Sequence, residues 1–404
     1  ILFDTVRGVG KSINSNETSL ERTNHNYGYL TSFDFNGYTV TGGSSGDGET
    51  NDASNTYVAW AWKAGGDKGT FNIDDVGYAS AAAANMNTGS ANSGFYDQSE
   101  EWQDRVSFSG GTYTAGSIDT AFDGDLTTGI TDGNNASSVA LLLTFTPAIT
   151  ATSSLRVFTT GNTACPVVVN GSQTLTNGGS GSWDTVSSNT LSTVALNHRS
   201  GQGLARLRAI EVDGKILVDA SQTPAGTQYP SIAPSGCSVG TKQGFSIIGY
   251  TGTDNASDTF SHGLSQKPDF AIFKNRSQDG DDWIVYHSSQ GATKRGKLNL
   301  TNQFDSQTSQ FNDTEPTSSL FTIGTYDNIN KLNNNYIAYI WHNVPGLQKF
   351  GSYTGNASSD GPFVETGMRP ALVVFKKSSA DGDPWLVYDG TRNTFNLATN
   401  RLFW

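Results

Sequence analysis

Apolar residues in this chain come in short runs, four to seven positions long, separated by clusters of Gly, Asn, Asp, Ser and Thr. That spacing predicts strands joined by tight turns rather than amphipathic helices. In the first 66 residues the strands expected are Ile1-Leu-Phe3, Leu30 to Phe35, Tyr38-Thr-Val40 and Tyr57 to Trp62. The last is apolar at every position, the pattern of a strand covered on both faces. Between Gly65 and Gly94 the pattern dissolves into Gly, Ala, Asn and Ser, with Ala81 to Met86 as a candidate short helix, and residues 67–92 are expected to be a linker. Strand-like runs then crowd together at Arg105 to Phe108, Val139 to Phe145, Ser154 to Phe158, Pro166 to Val169, Ser192 to Leu196 and Ala205 to Val212, the density of a sandwich or jelly roll. A second expected linker, 223–244, contains prolines. Beyond it strands are expected at Phe245 to Tyr250, Asp269 to Lys274, Trp283 to Tyr286, Lys297 to Leu300, Leu320 to Gly324 and Tyr336 to Trp341.

The last set is a repeat. Lys267-Pro-Asp-Phe-Ala-Ile-Phe-Lys274 returns as Arg369-Pro-Ala-Leu-Val-Val-Phe-Lys376, and Asp279-Gly-Asp-Asp-Trp283-Ile-Val-Tyr286 as Asp381-Gly-Asp-Pro-Trp385-Leu-Val-Tyr388. The opening Gly-Tyr250-Thr-Gly252 returns within Phe350-Gly-Ser-Tyr353-Thr-Gly355. At the other end, Tyr57-Val-Ala-Trp-Ala-Trp62 copies Tyr336-Ile-Ala-Tyr-Ile-Trp341, and Ile1 to Asp4 with Arg7 resembles Leu386 to Asp389 with Arg392. A repeat of about 100 residues is one packing unit of domain size. The division that follows is 1–66 as the C-terminal part of one sandwich repeat, 93–222 as a different, inserted module, 245–346 as a complete repeat, and 347–404 as the N-terminal part of the next. The partial repeats then need strands from further parts of the chain or from a second subunit.

Composition narrows the reading. The 404 residues include only 15% Asp, Glu, Lys and Arg, two Met and 46 Gly, which suits an all-β protein of tandem sandwich repeats. The formal net charge of -12 disfavours nucleic acid or an anionic membrane as the main partner. No apolar run approaches the roughly 20 residues of a membrane span. Two cysteines, Cys165 and Cys237, are too few for a disulfide framework. A chain that opens on Ile1 in mid-repeat, without a leader, is expected to be a fragment or a processed product.

Candidate chemistry is sparse. His25, His198, His262, His287 and His342 share no metal-ligand spacing. The segments Gly42-Gly-Ser44-Ser-Gly46 and Gly236-Cys-Ser238-Val-Gly240 match the serine-nucleophile pattern but lack the strand-to-helix context that chemistry requires. The turns Asp279-Gly-Asp-Asp282 and Asp381-Gly-Asp383 offer carboxylates for calcium, yet the downstream Glu of a calcium loop is absent and Asp-Gly is a common turn former, so turns without metal are expected. Tyr57, Trp60, Trp62, Tyr336, Tyr339 and Trp341 are expected to be core rather than a sugar-stacking platform. In the middle module, Trp102, Tyr113 and Trp183, with His198 and Arg199, lie in polar surroundings and are the candidate carbohydrate-binding residues; half-buried places at sandwich edges are the alternative.

The middle module also carries Ala121-Phe-Asp123-Gly-Asp125-Leu-Thr-Thr128 and Leu207-Arg-Ala-Ile-Glu211-Val-Asp-Gly214, and in these residues it resembles the galactose-binding-like jelly roll of discoidin domains and carbohydrate-binding modules. The resemblance implies a structural calcium held by Asp123, Asp125, Thr128 and Glu211, hard oxygen donors of the right type. Many members carry Trp two residues after the paired threonines, where this chain has Ile130. The flanking repeats, with Gly-Phe-Ser-Ile, Tyr-Thr-Gly, His-Gly-Leu and Tyr-Ile-Ala-Tyr-x-Trp, resemble repeats of tail-fibre and other virion appendage proteins of marine bacteriophages, cyanophages among them. That resemblance implies a structural and adhesive component of a virion rather than an enzyme, a homo-oligomer with a trimer among the options, and partners that are host-surface glycans or receptors and other virion proteins. A bacterial cell-surface adhesin or matrix protein, and a non-catalytic part of a polysaccharide-degrading enzyme, are the alternatives.

Overall fold

The computed structural model describes residues 1–45, 48–88, 94–110, 113–115, 118–132, 140–197, 205–224, 229–264, 266–392 and 400–403. The fold is all-β, with 36% of residues in strands and 4% in helices. The chain forms two compact units, one built from Ile1–Asn87 together with Pro230–Trp404, the other from Thr88–Tyr229.

The second unit is a two-sheet sandwich. One sheet runs Ser182–Thr185, Leu155–Thr160, Arg206–Val212, Ile130–Asp132 and Tyr113–Ala115, with Lys215–Leu217 and Tyr96–Asp97 added beside Arg206–Val212. The other runs Gln173–Leu175, Val167–Val169, Thr190–Leu196, Leu141–Thr150 and Val106–Gly110. Alternation sets the core: Leu141, Leu143 and Phe145 from one sheet meet Leu155, Val157, Leu207 and Ile210 from the other. The expected strands of this module are all present, with their ends moved by a few residues.

The first unit is organised around a nine-stranded sheet in the order Asp305–Ser306, Lys294–Lys297, Ile284–His287, Phe270–Asn275, Asn335–Trp341, Phe245–Thr251, Gly236–Gly240, Phe71–Ile73 and Val76–Tyr78. Its central strand, Asn335–Trp341, is covered on both faces. Tyr336, Ala338 and Ile340 join a core with Tyr250, Phe260, Phe273, Tyr286 and Phe321, roofed by the two-stranded antiparallel sheet of Asp258–Ser261 with Leu320–Ile323. Ile337, Tyr339 and Trp341 join a second core with Ile247, Ile272, Trp283 and Val285. Leu298 and Phe304 of the complete repeat pack into this second core, and the rest of its cover comes from the partial repeats: Ile13, Leu2 and Val6 from one, Trp385, Phe350 and Val374 from the other. An uninterrupted apolar run is thus explained by a period of two read against two cores.

Three expectations are corrected. The stretch expected to be a linker over 67–92 contributes the hairpin Phe71–Ile73 with Val76–Tyr78, turned by Asp74 (φ 49) and Asp75 (φ 64), the positive-φ pair of a tight two-residue hairpin. The stretch expected to be a linker over 223–244 contains the strand Gly236–Gly240, which pairs in parallel with Phe71–Ile73 and antiparallel with Phe245–Thr251. Its small residues hid it: Gly236, Cys237, Ser238, Val239 and Gly240 are all buried, and Gly240 lies so close to the Ala64 backbone that a Cβ would collide with it. Finally, Tyr57 to Trp62 is neither a strand nor core; Tyr57, Trp60 and Trp62 are all exposed, whereas Tyr336, Tyr339 and Trp341 are buried as expected.

Candidate functional site

In the inserted module, Asp123, Asp125 and Thr128 come together as a self-bonded loop. Asp123 Oδ1 accepts from Asp125 N at 2.8 Å and its Oδ2 from Thr128 Oγ1 at 2.8 Å, while Asp125 Oδ1 accepts from both the amide and hydroxyl of Thr127 at 2.7 Å. Burial pushes the Asp123 carboxyl above its ordinary pKa, and the hydrogen bonds from Asp125 and Thr128 oppose that. Glu211 does not join them as a free ligand. It stands in the strand Arg206–Val212 opposite Arg156, whose guanidinium takes both of its carboxylate oxygens, Oε1 from Nε at 2.7 Å. As arranged, the four side chains do not make one calcium cage, and no cluster of three or more His, Cys, Asp and Glu suited to a metal ion occurs among the described residues.

The candidate sugar-binding residues separate as well. Trp102 is buried in the sandwich core, its indole N–H donating to Asp97 O at 2.9 Å and its ring face covered by Arg105 at 4.7 Å. This is a correction: the side chain is a core anchor, because a short 3₁₀ turn, Trp102–Arg105, points it inward. Trp183 is half-buried beside Phe158 at 5.3 Å and under the Arg156 guanidinium at 5.1 Å, so one cation bridges Trp183 and Glu211. Tyr113 lies in the strand Tyr113–Ala115, and its side chain lies outside the described residues, as do His198 and Arg199.

No described serine is poised as a nucleophile of the expected pattern. Ser238 Oγ is buried in its strand, donating to Gly66 O at 3.0 Å and accepting from Gly65 N at 3.1 Å. Gly46 of the other segment lies outside the described residues. His262 is buried, with Nδ1 accepting from Leu264 N at 3.1 Å, and burial pulls its pKa down to about 4. A cleft of about 460 Å³ beside Gly280 and Tyr326 gathers Asp281, Asp282 and Asp327. Its carboxylates are engaged: Asp282 with Lys297 at 2.9 Å and Asp281 with Asn275 at 2.7 Å.

The most specific geometry in the molecule is a junction between repeats, and it is made twice. Lys274 Nζ donates to Thr18 O at 3.0 Å, Gly280 N to Thr18 O at 3.1 Å and the Trp283 indole to Asn14 O at 2.9 Å, while Leu20 N donates to Asp279 Oδ1 at 2.7 Å and Glu21 N to Arg276 O at 3.3 Å. In the next copy Lys376 Nζ donates to Thr301 O at 2.9 Å, Gly382 N to Thr301 O at 3.1 Å and the Trp385 indole to Lys297 O at 2.9 Å, while Gln303 N donates to Asp381 Oδ1 at 2.8 Å and Phe304 N to Ser378 O at 3.2 Å. Every residue on one side is displaced by 102 positions, as from Lys274 to Lys376, and every residue on the other by 283, as from Thr18 to Thr301. The Asp-Gly-Asp turns are therefore clamps between repeats. Lys274 is wholly buried, its ammonium also bonded to Asp281 O at 2.6 Å, and burial pulls its pKa down to about 8 against the raising pull of Asp281, Asp282 and Asp279. Around the first junction, Arg7 pairs with Asp4 inside the second core, where the Tyr339 hydroxyl donates to Asp4 Oδ2 at 2.7 Å.

Sequence comparison found the donor loops, since Lys, Asp, Gly and Trp recur there. It missed the receiving side, which uses backbone carbonyls and amides that any residue supplies. No curated protein and no solved structure matches the chain. A family profile does match, over residues 1–95 and 220–403, which takes in both partial repeats and the complete one and leaves out the body of the inserted module. The chain belongs to the family described as a domain of unknown function, DUF7483.

Proposed function

We propose that this protein is a structural and adhesive component of a bacteriophage tail fibre or similar virion appendage, in which the repeats form the load-carrying array and the inserted sandwich contacts host-surface glycans. The observation that carries the reading is the junction made twice with one register. A contact repeated at constant offset is the rule of a linear array, in which each repeat is stabilised by its neighbours. The inserted sandwich has a core of its own, and its family-profile gap at 96–219 marks it as an addition to the array. It holds a half-buried Trp183 under Arg156, an aromatic ring and a cation beside a carboxylate, groups that suit the edge of a site for a polyhydroxylated ligand. Single contacts of this kind are weak, and an array that presents many copies raises their effective concentration.

The test is a glycan array probed with the 404-residue chain and with a variant in which residues 88–229 are replaced by a short Gly/Ser linker. Binding by the parent that disappears in the variant, and that weakens with Trp183→Ala, supports the reading. Equal binding by both chains, or no glycan binding by a multivalent preparation of the parent, refutes the adhesive half of it.

A further inference from the structure

The cleft in the complete repeat holds polar groups that neither the junction nor the core uses. Its volume of about 460 Å³ falls inside the roughly 300 to 1,000 Å³ typical of small-molecule sites. Asn328 lines it and is only 8% exposed, yet among the described residues its side-chain amide takes part in no hydrogen bond. Buried polar groups are nearly always paired, so this amide leaves a donor and an acceptor for something in the cleft. Asp281, also 8% exposed, stands in the same wall: Asn275 holds its Oδ2 at 2.7 Å, and among the described residues nothing donates to its Oδ1. Tyr326 adds a half-buried ring, fixed by the Arg295 guanidinium 4.5 Å from its centroid. The junction does not require these side chains. Its clamp takes the backbone carbonyl of Asp281 rather than the carboxylate, and at the counterpart of Asp282 the second clamp has Pro384.

Charge narrows the ligand. Asp282 pairs with Lys297 at 2.9 Å, Asp327 with Lys331 at 3.4 Å, and Asp281 stands beside the ammonium of Lys274, which bonds to its carbonyl at 2.6 Å. Three carboxylates matched by three lysines leave a cation no net charge to answer. An anion would meet the same carboxylates at close range. What fits is a neutral ligand that donates to a carboxylate, exchanges hydrogen bonds with an amide and lays an apolar face on an aromatic ring. A neutral sugar does all three, because its adjacent hydroxyls both donate and accept and its C–H face packs on a ring. We propose that this cleft binds one neutral hexose unit of a glycan, with Asp281 Oδ1 accepting from one hydroxyl, the Asn328 amide bonding its neighbour, and Tyr326 forming the apolar wall. The repeat is then adhesive in its own right, and this inference is independent of what the inserted sandwich binds.

The test is an NMR titration of the deuterated 404-residue chain with the methyl glycosides of glucose, mannose and galactose, with glucosamine, glucuronate and calcium as charged probes. The side-chain amide signal of Asn328 is assigned by its disappearance in Asn328→Ala, a substitution that breaks no hydrogen bond of the fold. At least one neutral glycoside is expected to move that signal together with the backbone amides of Asp281 and Asp327, saturating in the millimolar range. Asn328→Ala should weaken the response of the Asp327 amide on the order of tenfold, as for the loss of one or two hydrogen bonds. Thr325, exposed at the edge of the cleft, gives a second variant: Thr325→Trp fills the cleft without touching the core and should abolish the response. Signals at Asn328 that no neutral glycoside moves up to its solubility, a stronger response to a charged probe, or a response that survives both substitutions each overturns the proposal. Shifts confined to residues 94–224 overturn it too, by assigning the sugar to the inserted sandwich, whose own reading fails separately if glycan binding survives removal of residues 88–229.

Discussion

Trp283→Phe isolates one clamp of the repeat junction. The substitution keeps an aromatic ring in the second core but removes the indole N–H that Asn14 O accepts at 2.9 Å in a fully buried place. Two terms add. Leaving that carbonyl without its partner costs about 1 to 2 kcal/mol, and the smaller ring gives up roughly 40 Å² of buried apolar surface, about 1 kcal/mol. The junction should therefore open more easily by about 2 to 3 kcal/mol, and the loss should be local, because Asn14 belongs to the segment that lies across the second core. Hydrogen exchange is the assay. Amides of Ile13, Leu20 and Glu21, which donate to Leu2 O, Asp279 and Arg276 O, should exchange on the order of 30- to 150-fold faster. Trp385→Phe should act on the other junction alone, speeding Gln303 and Phe304 and leaving residues 13–21 unchanged. If Trp283→Phe instead speeds exchange evenly through the nine-stranded sheet, or leaves Leu20 and Glu21 as protected as before, the junction is not the local clamp described.

Asp219 supplies a pH prediction. It is fully buried in the inserted sandwich, accepts from Gln103 N at 3.0 Å, and its pKa is pushed up to about 6, first by burial and then by Glu101 and Asp119. Between an unfolded value near 4 and the folded value of about 6 the folded state holds the extra proton, so this group's stabilisation is complete below the lower value and is lost as pH rises through the upper one. Asp219→Asn should therefore flatten the pH dependence and leave the unit more stable than the parent at neutral pH, by on the order of 2 kcal/mol in urea titrations; a variant less stable at pH 7 and unchanged at pH 4 contradicts this. Calcium should leave the melting of the inserted unit unchanged, since a bound ion at a hundred times its Kd would add about 2.7 kcal/mol and the Glu211 carboxylate is already held by Arg156. A calcium-dependent rise that Asp123→Asn removes would show that the loop recruits other donors.

How much was legible in the sequence depended on whether side chains or backbone carried the structure. The inserted sandwich was legible because its core is written in alternating Leu, Val and Ile, as in Leu141, Leu143 and Phe145. The donor half of the junction was legible because it uses side chains and one turn glycine: Lys274, Asp279, Gly280 and Trp283 return as Lys376, Asp381, Gly382 and Trp385. The strand Gly236–Gly240 was not, because a strand closely flanked by backbone on both sides carries glycine and serine, the residues of a loop. Trp102 was misplaced for a related reason: polar neighbours in sequence do not reveal that one 3₁₀ turn swings a side chain into the core. Tyr57 to Trp62 shows the opposite limit. Its apolar pattern predicts burial, but burial needs strands on either side, and among the described residues none pairs with it.

That dependence on neighbours gives a prediction about the complete repeat by itself. Its sheet presents Ile247, Ile272, Trp283, Ile337, Tyr339 and Trp341 on the second face, and besides Leu298 and Phe304 the residues packed over them, Ile13, Ala64 and Trp385 with Leu2, Val6, Phe350 and Val374, come from outside 230–346. Cut free, residues 230–346 would also lose the hairpin Phe71–Ile73 with Val76–Tyr78, leaving Gly236–Gly240 as an open edge. Uncovering even half of each large side chain at the usual transfer value of roughly 25 cal/mol per Å² removes on the order of 5 kcal/mol or more, which is the whole stability of many domains. The excised repeat is expected to aggregate or to bind a hydrophobic dye, whereas the chain lacking 88–229 should melt cooperatively, because that deletion takes away only a unit with a core of its own. A soluble, sharply melting 230–346 fragment would mean that the second face tolerates water, and the roofing contacts around Ile13 and Trp385 would then be packing without much weight. If the fragment fails and adding the 1–66 peptide in trans restores cooperative melting, the sheet's need for a neighbour is the force that makes one repeat follow another.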